Sequence, residues 1–365
     1  MRRLKRVMGW LEEERLDCVV VAGADPVTHL CGYSRYYGGP SALAVGRDGM
    51  RTLVVMRDEA AVARELSDAD EVVGYGERGF GIDLDPLAKL VAAVEALPVV
   101  AGAGRIGLHS ELPTFGERLT AEAVSATEFL QRLRRVKDED ELRAILASYE
   151  LCWLAQRSVA DSARQGVEEI ALFTGAQSVA QLAHGGPIEF LCDLLSGPNT
   201  AEVCCPIHVA GRRRAEAGDP VIADIVVRAG GYWGDSAETH VVGENDEIAA
   251  VRTRLLELLA EAGRLLVPGA TGGKLFGRLS DAILADFPGS EFPHHGGHGL
   301  GLGNFEDPHI RPGDDLPFEE GMVIAVEPGA YFPGRFGVRV ENVFLVTASG
   351  GVELRQALGA TVGVS

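Results

Sequence analysis

The stretch Val221-Ile222-Ala223-Asp224-Ile225-Val226-Val227, followed after Ala229-Gly230-Gly231 by Trp233-Gly234-Asp235 and a run ending at Val241-Val242, decides how the chain is read. Its first seven residues are rich in β-branched side chains, the glycines supply a turn, and the second run reads as a return strand, so a β-hairpin is predicted. If Ala229 and Gly230 are the two turn residues, facing positions sum to 459, as 224 and 235 do, and Asp224 and Asp235 face each other on one side. A one-residue slip in the turn would instead separate them as solvent-facing strand residues. Like charges paired across strands are destabilising, and a partly buried pair of carboxylates needs a counter-charge to stay ionised.

The same form recurs towards the C-terminus, in Glu327-Pro328-Gly329-Ala330-Tyr331-Phe332-Pro333-Gly334-Arg335-Phe336-Gly337-Val338-Arg339-Val340-Glu341. A three-residue loop at Pro333-Gly334-Arg335 makes facing positions sum to 668, as 327 and 341 do, which pairs two more carboxylates. Between the hairpins lies Pro293-His294-His295-Gly296-Gly297-His298-Gly299-Leu300-Gly301-Leu302-Gly303, where glycines let the backbone come close to a site and His298 offers a neutral nitrogen ligand. Three of the nine histidines fall in this one segment, which favours a metal-binding role over a purely structural one. Four carboxylates carry about four negative charges, which two divalent cations would neutralise, leaving a bridging hydroxide as the reactive species. Manganese is the metal expected for this donor set, with cobalt, zinc and iron also chemically suited.

Further out, a charged helical pattern over residues 3–15 leads into Cys18-Val19-Val20-Val21-Ala22, and apolar stretches at 42–45 and 52–56 precede a helical pattern at 58–67. This is α/β alternation. Arg134-Arg135-Val136-Lys137 precedes Asp138, which with Glu141 has the form of a capping box, and Leu142, Ile145, Leu146 and Tyr149 follow at helical spacing. A boundary near residue 130 is expected, with one domain over 1–128 and a larger one over 132–365. Two domains suit a chain of 365 residues.

The formal charge of −19 opposes binding to phosphate backbones or anionic lipid, so no nucleic-acid or membrane partner is expected. No run approaches the ~20 apolar residues that span a bilayer, and the basic start MRRLKRVMGW runs into LEEERLD where a signal peptide would have its apolar core. Six cysteines (Cys18, Cys31, Cys152, Cys192, Cys204, Cys205) form no C-x-x-C pair, which suits a reduced cytoplasm, and the Cys204-Cys205 doublet reads as two small semi-buried residues.

Taken together, Gly218-Asp219-Pro220-Val221-Ile222-Ala223-Asp224, Gly234-Asp235, His294-x-x-Gly297-His298-Gly299-x-Gly301-Leu302, Glu327-Pro328-Gly329 and Arg339-Val340-Glu341 resemble, in order and spacing, the metallopeptidases of the pita-bread fold. The N-terminal half, with Leu16-Asp17-Cys18-Val19-Val20-Val21 and His29-Leu30-Cys31-Gly32-Tyr33, resembles the creatinase-type domain of the Xaa-Pro aminopeptidase and prolidase branch. The resemblance implies an α/β (α+β) protein: a creatinase, ribonuclease-H-like domain, then a pita-bread domain with a pseudo-symmetric antiparallel sheet and flanking helices. It implies a homodimer whose N-terminal domain helps close the partner's active site, and a peptide or small-amide substrate. It further implies that Asp224 chelates one metal, that Asp235 and Glu341 bridge both, and that His298 and Glu327 hold the other. Glu327 would also be the general base as water attacks the amide carbonyl. Arg339 would brace the site, unless it is an ordinary strand arginine. His294 and His208 would be substrate-side histidines, with His208 at a less regular spacing.

Two positions depart from the family pattern. Phe305 stands where a second histidine is expected, and a phenyl ring can neither donate nor accept its hydrogen bond. His309 stands where prolidases carry an arginine for the substrate's terminal carboxylate, and histidine is a weaker, pH-dependent substitute. These departures keep open a metal-dependent small-molecule C–N hydrolase or lyase on the same scaffold, of the creatinase, ectoine-hydrolase or dimethylsulfoniopropionate-lyase kind. A pseudo-peptidase acting as a binding module would be expected to have lost ligands, and all five are present.

Overall fold

Continuous apolar runs such as Cys18–Ala22 belong to strands buried on both faces, and the computed structural model, which describes residues 2–79, 83–202 and 210–359, has such a sheet in its first part. The chain divides into two compact units, Met1–Arg134 and Arg135–Ser365. In the first, β1 (Cys18–Ala22), β2 (Ala42–Gly46), β3 (Arg51–Met56), β4 (Glu71–Tyr75), β5 (Arg105–Ser110) and β6 (Glu122–Ser125) form one sheet in the order β4-β3-β2-β1-β5-β6. The strand pairs β1-β2 and β2-β3 are antiparallel, while β1-β5, β5-β6 and β3-β4 are parallel. This is the ribonuclease-H-like arrangement. Val19, Val21, Leu43 and Leu53 pack on one side with Val7 and Leu11 of the helix Arg2–Glu13, whose apolar positions recur at helical spacing. Val20, Ala44 and Val54 pack on the other with Leu90 and Val94 of the helix Pro86–Glu95. Each fully buried valine or leucine here contributes about 1.5–3 kcal/mol relative to an exposed one.

The second unit begins with the long helix Glu139–Ser162, entered as anticipated at Asp138, whose backbone N–H donates to Glu141 Oε2 at 2.9 Å. That helix and the helix Glu169–His184 cover an antiparallel sheet of β7 (Glu189–Ser196), β8 (Pro220–Ala229) and β9 (Tyr232–Val241). A second sheet, ordered β11-β10-β12-β15-β16, is built from β10 (Gly297–Gly299), β11 (Glu306–His309), β12 (Val323–Val326), β15 (Asn342–Thr347) and β16 (Gly350–Glu353), with β13 (Gly329–Phe332) and β14 (Phe336–Arg339) as a separate pair. Helices Asp246–Leu265 and Gly272–Asp286 bury Leu255, Leu259, Leu279 and Ile283 against Ile324, Val338 and Phe344. No helix among the described residues is long and apolar enough to cross a membrane.

The first hairpin differs from the predicted register. Gly230 (φ 58°) and Gly231 (φ 86°) are the turn residues, because a two-residue turn of this kind needs positive φ at both central positions, which Ala229 would adopt only under strain. Facing positions therefore sum to 461: Asp224 faces Ala237 and Asp235 faces Val226. The two aspartates are diagonal neighbours and not directly opposed. Moving the turn by one residue keeps the parity of the pairing, so both stay on one face and are not separated as that slip was expected to do.

The second hairpin has the expected register and more. Gly329 faces Arg339 and Phe332 faces Phe336, and the same sum of 668 continues through β12 and β15, from Val326 facing Asn342 to Val323 facing Leu345. Glu327 and Glu341 lie where this long ribbon leaves one pairing and enters the next. There the Glu327 N–H donates to Gly296 O (3.0 Å) and the Glu341 N–H to Ala237 O (2.8 Å), which ties the bend to the other hairpin and to the histidine segment.

Candidate metal centre

His298 lies on β10, squeezed between β11 and β12, and the squeeze explains its glycine neighbours: a Cβ on Gly297 would stand 2.0 Å from Ala325 O. From this fixed strand His298 Nδ1 donates to Gly299 O at 3.0 Å, which sets the tautomer and leaves the Nε2 lone pair directed into the site. Nε2 is 3.7 Å from Asp235 Oδ2 and 3.8 Å from Glu327 Oε1. Ligand atoms of Asp235, His298 and Glu341 all lie within 4.8 Å of one another, and all three residues are buried. Asp235 Oδ1 and Glu341 Oε1 are buried without a hydrogen-bond partner among the described residues. Buried charged oxygens left like this are costly unless a cation satisfies them, so the donor set fits divalent metal.

The protonation pattern agrees. Burial drives the carboxyl groups of Asp235 and Glu341 well above the ordinary range, reinforced by the neighbouring carboxylates. Burial also raises Asp224, against the pull of Arg339. Glu327 goes the other way: burial pushes it up, but His295, His294 and His298 together hold it below the usual carboxylate range. Burial pushes His298 down to about 4 and His294 down to about 3, so both are neutral near pH 7.

Asp224 takes the guanidinium of Arg339 through Nη1, and Arg339 Nε donates to the Tyr331 hydroxyl at 2.7 Å. Tyr331 in turn is 2.9 Å from His294 Nε2, and His294 Nδ1 donates to His295 O at 2.6 Å, so Tyr331 donates to a neutral His294. Arg339 is thus a largely enclosed part of the site, its side chain 11% exposed and engaged by Asp224 and Tyr331, and not an ordinary surface residue of a strand. Sequence reasoning missed Tyr331 and His295. The latter brings Nδ1 to 3.1 Å from Glu327 Oε1, and the signal for it was the His294-His295 doublet. Phe305 lies with its ring centroid 4.4 Å from that of His298 and 5.6 Å from that of His295, and is 59% exposed. His309 faces His298 across the β10-β11 pair, with Nδ1 3.4 Å from Asp307 Oδ1. His208 lies outside the described residues, as do Cys204 and Cys205.

A helix-covered pair of antiparallel sheets holding four carboxylates and a tautomer-locked imidazole defines a metallopeptidase of the pita-bread fold, and the chain belongs to metallopeptidase family M24, whose model matches residues 143–348. The model of the creatinase/prolidase N-terminal domain matches residues 3–136. Among individual relatives, the chain is 29% identical to the "Probable dipeptidase PepE" of Mycobacterium bovis over 86% of this chain and 83% of that protein. It is 27% identical to the "Xaa-Pro dipeptidase" of Pyrococcus horikoshii over 96% of each. The crystal structure of the prolidase from Pyrococcus horikoshii OT3 superposes with a TM-score of 0.80 at 25% identity, covering 97% of this chain and 98% of that one.

Proposed function

We propose that the chain is a dinuclear metal-dependent peptidase that hydrolyses the amide bond preceding proline in dipeptides or short peptides. The observation that carries this reading is the cluster of Asp235, His298 and Glu341, with Glu327 Oε1 3.8 Å from His298 Nε2, Asp224 diagonal to Asp235 on the same hairpin, and Asp235 Oδ1 and Glu341 Oε1 buried and unpartnered among the described residues. The names of full-length relatives support the substrate class. Asp224 would hold one ion, Asp235 and Glu341 would bridge the pair, and His298 with Glu327 would hold the other. Two divalent ions, manganese in our proposal, would supply an acidified water and a Lewis acid at the scissile carbonyl. Glu327 would accept the proton of the attacking water. The Arg339–Tyr331–His294 chain would fix Asp224 and keep His294 neutral beside the substrate. We further propose that the enzyme works as a homodimer in the cytoplasm; the four described cysteines, Cys18, Cys31, Cys152 and Cys192, are buried and form no disulfide among the described residues, in keeping with a reducing compartment.

The test is hydrolysis by the manganese-loaded protein of Xaa-Pro dipeptides, longer Xaa-Pro peptides, and N-methylated or cyclic amides. Metal-dependent cleavage of Xaa-Pro bonds that is lost in Asp235→Asn is expected; a folded, metal-loaded protein that cleaves none of the proline peptides would overturn the assignment. The exposed Phe305 ring over His298 favours, as a second reading, a small-molecule C–N substrate, which the N-methylated and cyclic amides in the same screen would reveal.

A further inference from the structure

On strand β9, Ser236 and His240 both meet Gln156 of the helix Glu139–Ser162, so Asp235, Ala237 and Thr239 project from the opposite face as one row. The second hairpin is laid along this row. The Glu341 N–H donates to Ala237 O at 2.8 Å, and one step further on Thr239 Oγ1 donates to Arg339 O at 2.8 Å and accepts the Arg339 N–H at 2.9 Å. A side-chain hydroxyl thus acts as donor and acceptor together, as the backbone of a neighbouring strand would. Thr239 is fully buried, and two groups of the metal centre depend on the residue it holds. Arg339 carries the guanidinium that engages Asp224 and Tyr331, and Glu341 follows two positions later, with its carboxylate close to Asp235 and His298. Without the hydroxyl, the Arg339 N–H and C=O would lose these bonds inside a buried seam, where an unpaired backbone group is costly. The ribbon would shift to pair them elsewhere, and a shift at Arg339 carries Glu341 with it.

We propose that Thr239 is a positioning residue: through the backbone of Arg339 it sets the separation of Glu341 from Asp235, and with it the affinity for the second of two divalent ions. This rests on the dinuclear reading above, in which Asp235 and Glu341 are assigned to both ions. Valine at this position keeps the branched shape and removes the hydroxyl, whereas serine keeps the hydroxyl and removes a methyl group.

The experiment titrates chelator-stripped wild type, Thr239→Val and Thr239→Ser with manganese by calorimetry, records the visible absorption of the cobalt-loaded proteins, and measures the urea midpoint of each. The second ion is expected to bind about tenfold more weakly to Thr239→Val. The cobalt bands of that variant should shift, because they report the arrangement of the ligands, while Thr239→Ser should bind both ions and absorb as wild type does. A Thr239→Val protein with a lower urea midpoint but unchanged manganese affinities and cobalt spectrum would overturn the proposal, leaving Thr239 a part of the framework alone. A Thr239→Ser protein as impaired as Thr239→Val would also overturn it, since the hydroxyl would not be the cause. Should Thr239→Val not fold, Thr239→Ala is read by the same outcomes. Binding of a single ion to wild type would overturn the dinuclear reading instead, and the proposal would then stand or fall on whether Thr239→Val, and not Thr239→Ser, weakens that ion.

Discussion

Replacing Gly234 by alanine should cost the second unit several kcal/mol and displace Asp235 together with it. A Cβ at Gly234 would lie 2.3 Å from the backbone nitrogen of Tyr149 and 2.4 Å from the carbonyl carbon of Ser148, against the main chain of the long helix. Reaching ordinary contact requires helix and strand to part by roughly 1 Å, and neither can yield alone. Ser148 Oγ donates to Tyr232 O (2.8 Å) and accepts from the Ala229 N–H (3.2 Å), while Gln156 Nε2 donates to Ala223 O (2.8 Å) and Ser236 O (3.0 Å). These four bonds staple the helix to the hairpin on both sides of Gly234. A 1 Å separation would break or badly weaken them, at about 1 kcal/mol each, for a total of about 4 kcal/mol. Urea unfolding followed by Trp153 and Trp233 fluorescence reads the loss, and manganese titration reads the shift of Asp235, one residue away. The control is Gly277→Ala in the helix Gly272–Asp286, where an added Cβ meets nothing within 4 Å and should stabilise by up to ~1 kcal/mol. A Gly234→Ala protein with an unchanged urea midpoint and unchanged metal affinity would refute the account of why a glycine precedes this aspartate.

Two other outcomes are expected. His240 Nε2 is 3.2 Å from Gln156 Oε1, and burial, aided by Arg252, pushes its pKa down to about 4 from an ordinary 6.5. A base whose folded pKa is depressed binds its proton more readily when unfolded, so the stabilising effect is full above pH 6.5 and is lost as pH falls towards 4. Between pH 7 and 5 wild type should therefore lose about 2 kcal/mol more than His240→Gln; parallel stability curves would contradict this. Phe305→His should raise cleavage of Xaa-Pro peptides by restoring a hydrogen-bonding ring next to His298, and unchanged steady-state rates would show that the phenyl ring is not what limits that activity.

How much of this was legible in the sequence differs from hairpin to hairpin. The placing of Glu327 and Glu341 on one register could be worked out because Pro333-Gly334-Arg335 allows one loop, and the same sum then holds in both four-residue ladders, Gly329–Phe332 and Val323–Val326, on either side of Glu327. The Asp224–Asp235 pairing was off by one turn residue, because Ala229-Gly230-Gly231 offers two turns and only the φ requirement chooses between them. The α/β character of the first unit was visible in its apolar runs, whereas its strand order depends on pairings as distant as Cys18 with Ile106, which no local pattern encodes. Tyr331 and His295 are identified by what they touch, the former through a hydroxyl shared between His294 and Arg339.

The central claim is that five side chains from two hairpins and one short strand hold a pair of metal ions. Equilibrium dialysis of the chelator-stripped protein against manganese, with the metal quantified per chain, tests it most directly. The account predicts two ions per chain in wild type, and fewer in both Asp235→Asn and Glu341→Gln, since each removes an oxygen that the proposal assigns to both ions. Saturation at one ion or fewer per chain in the wild-type protein would contradict it.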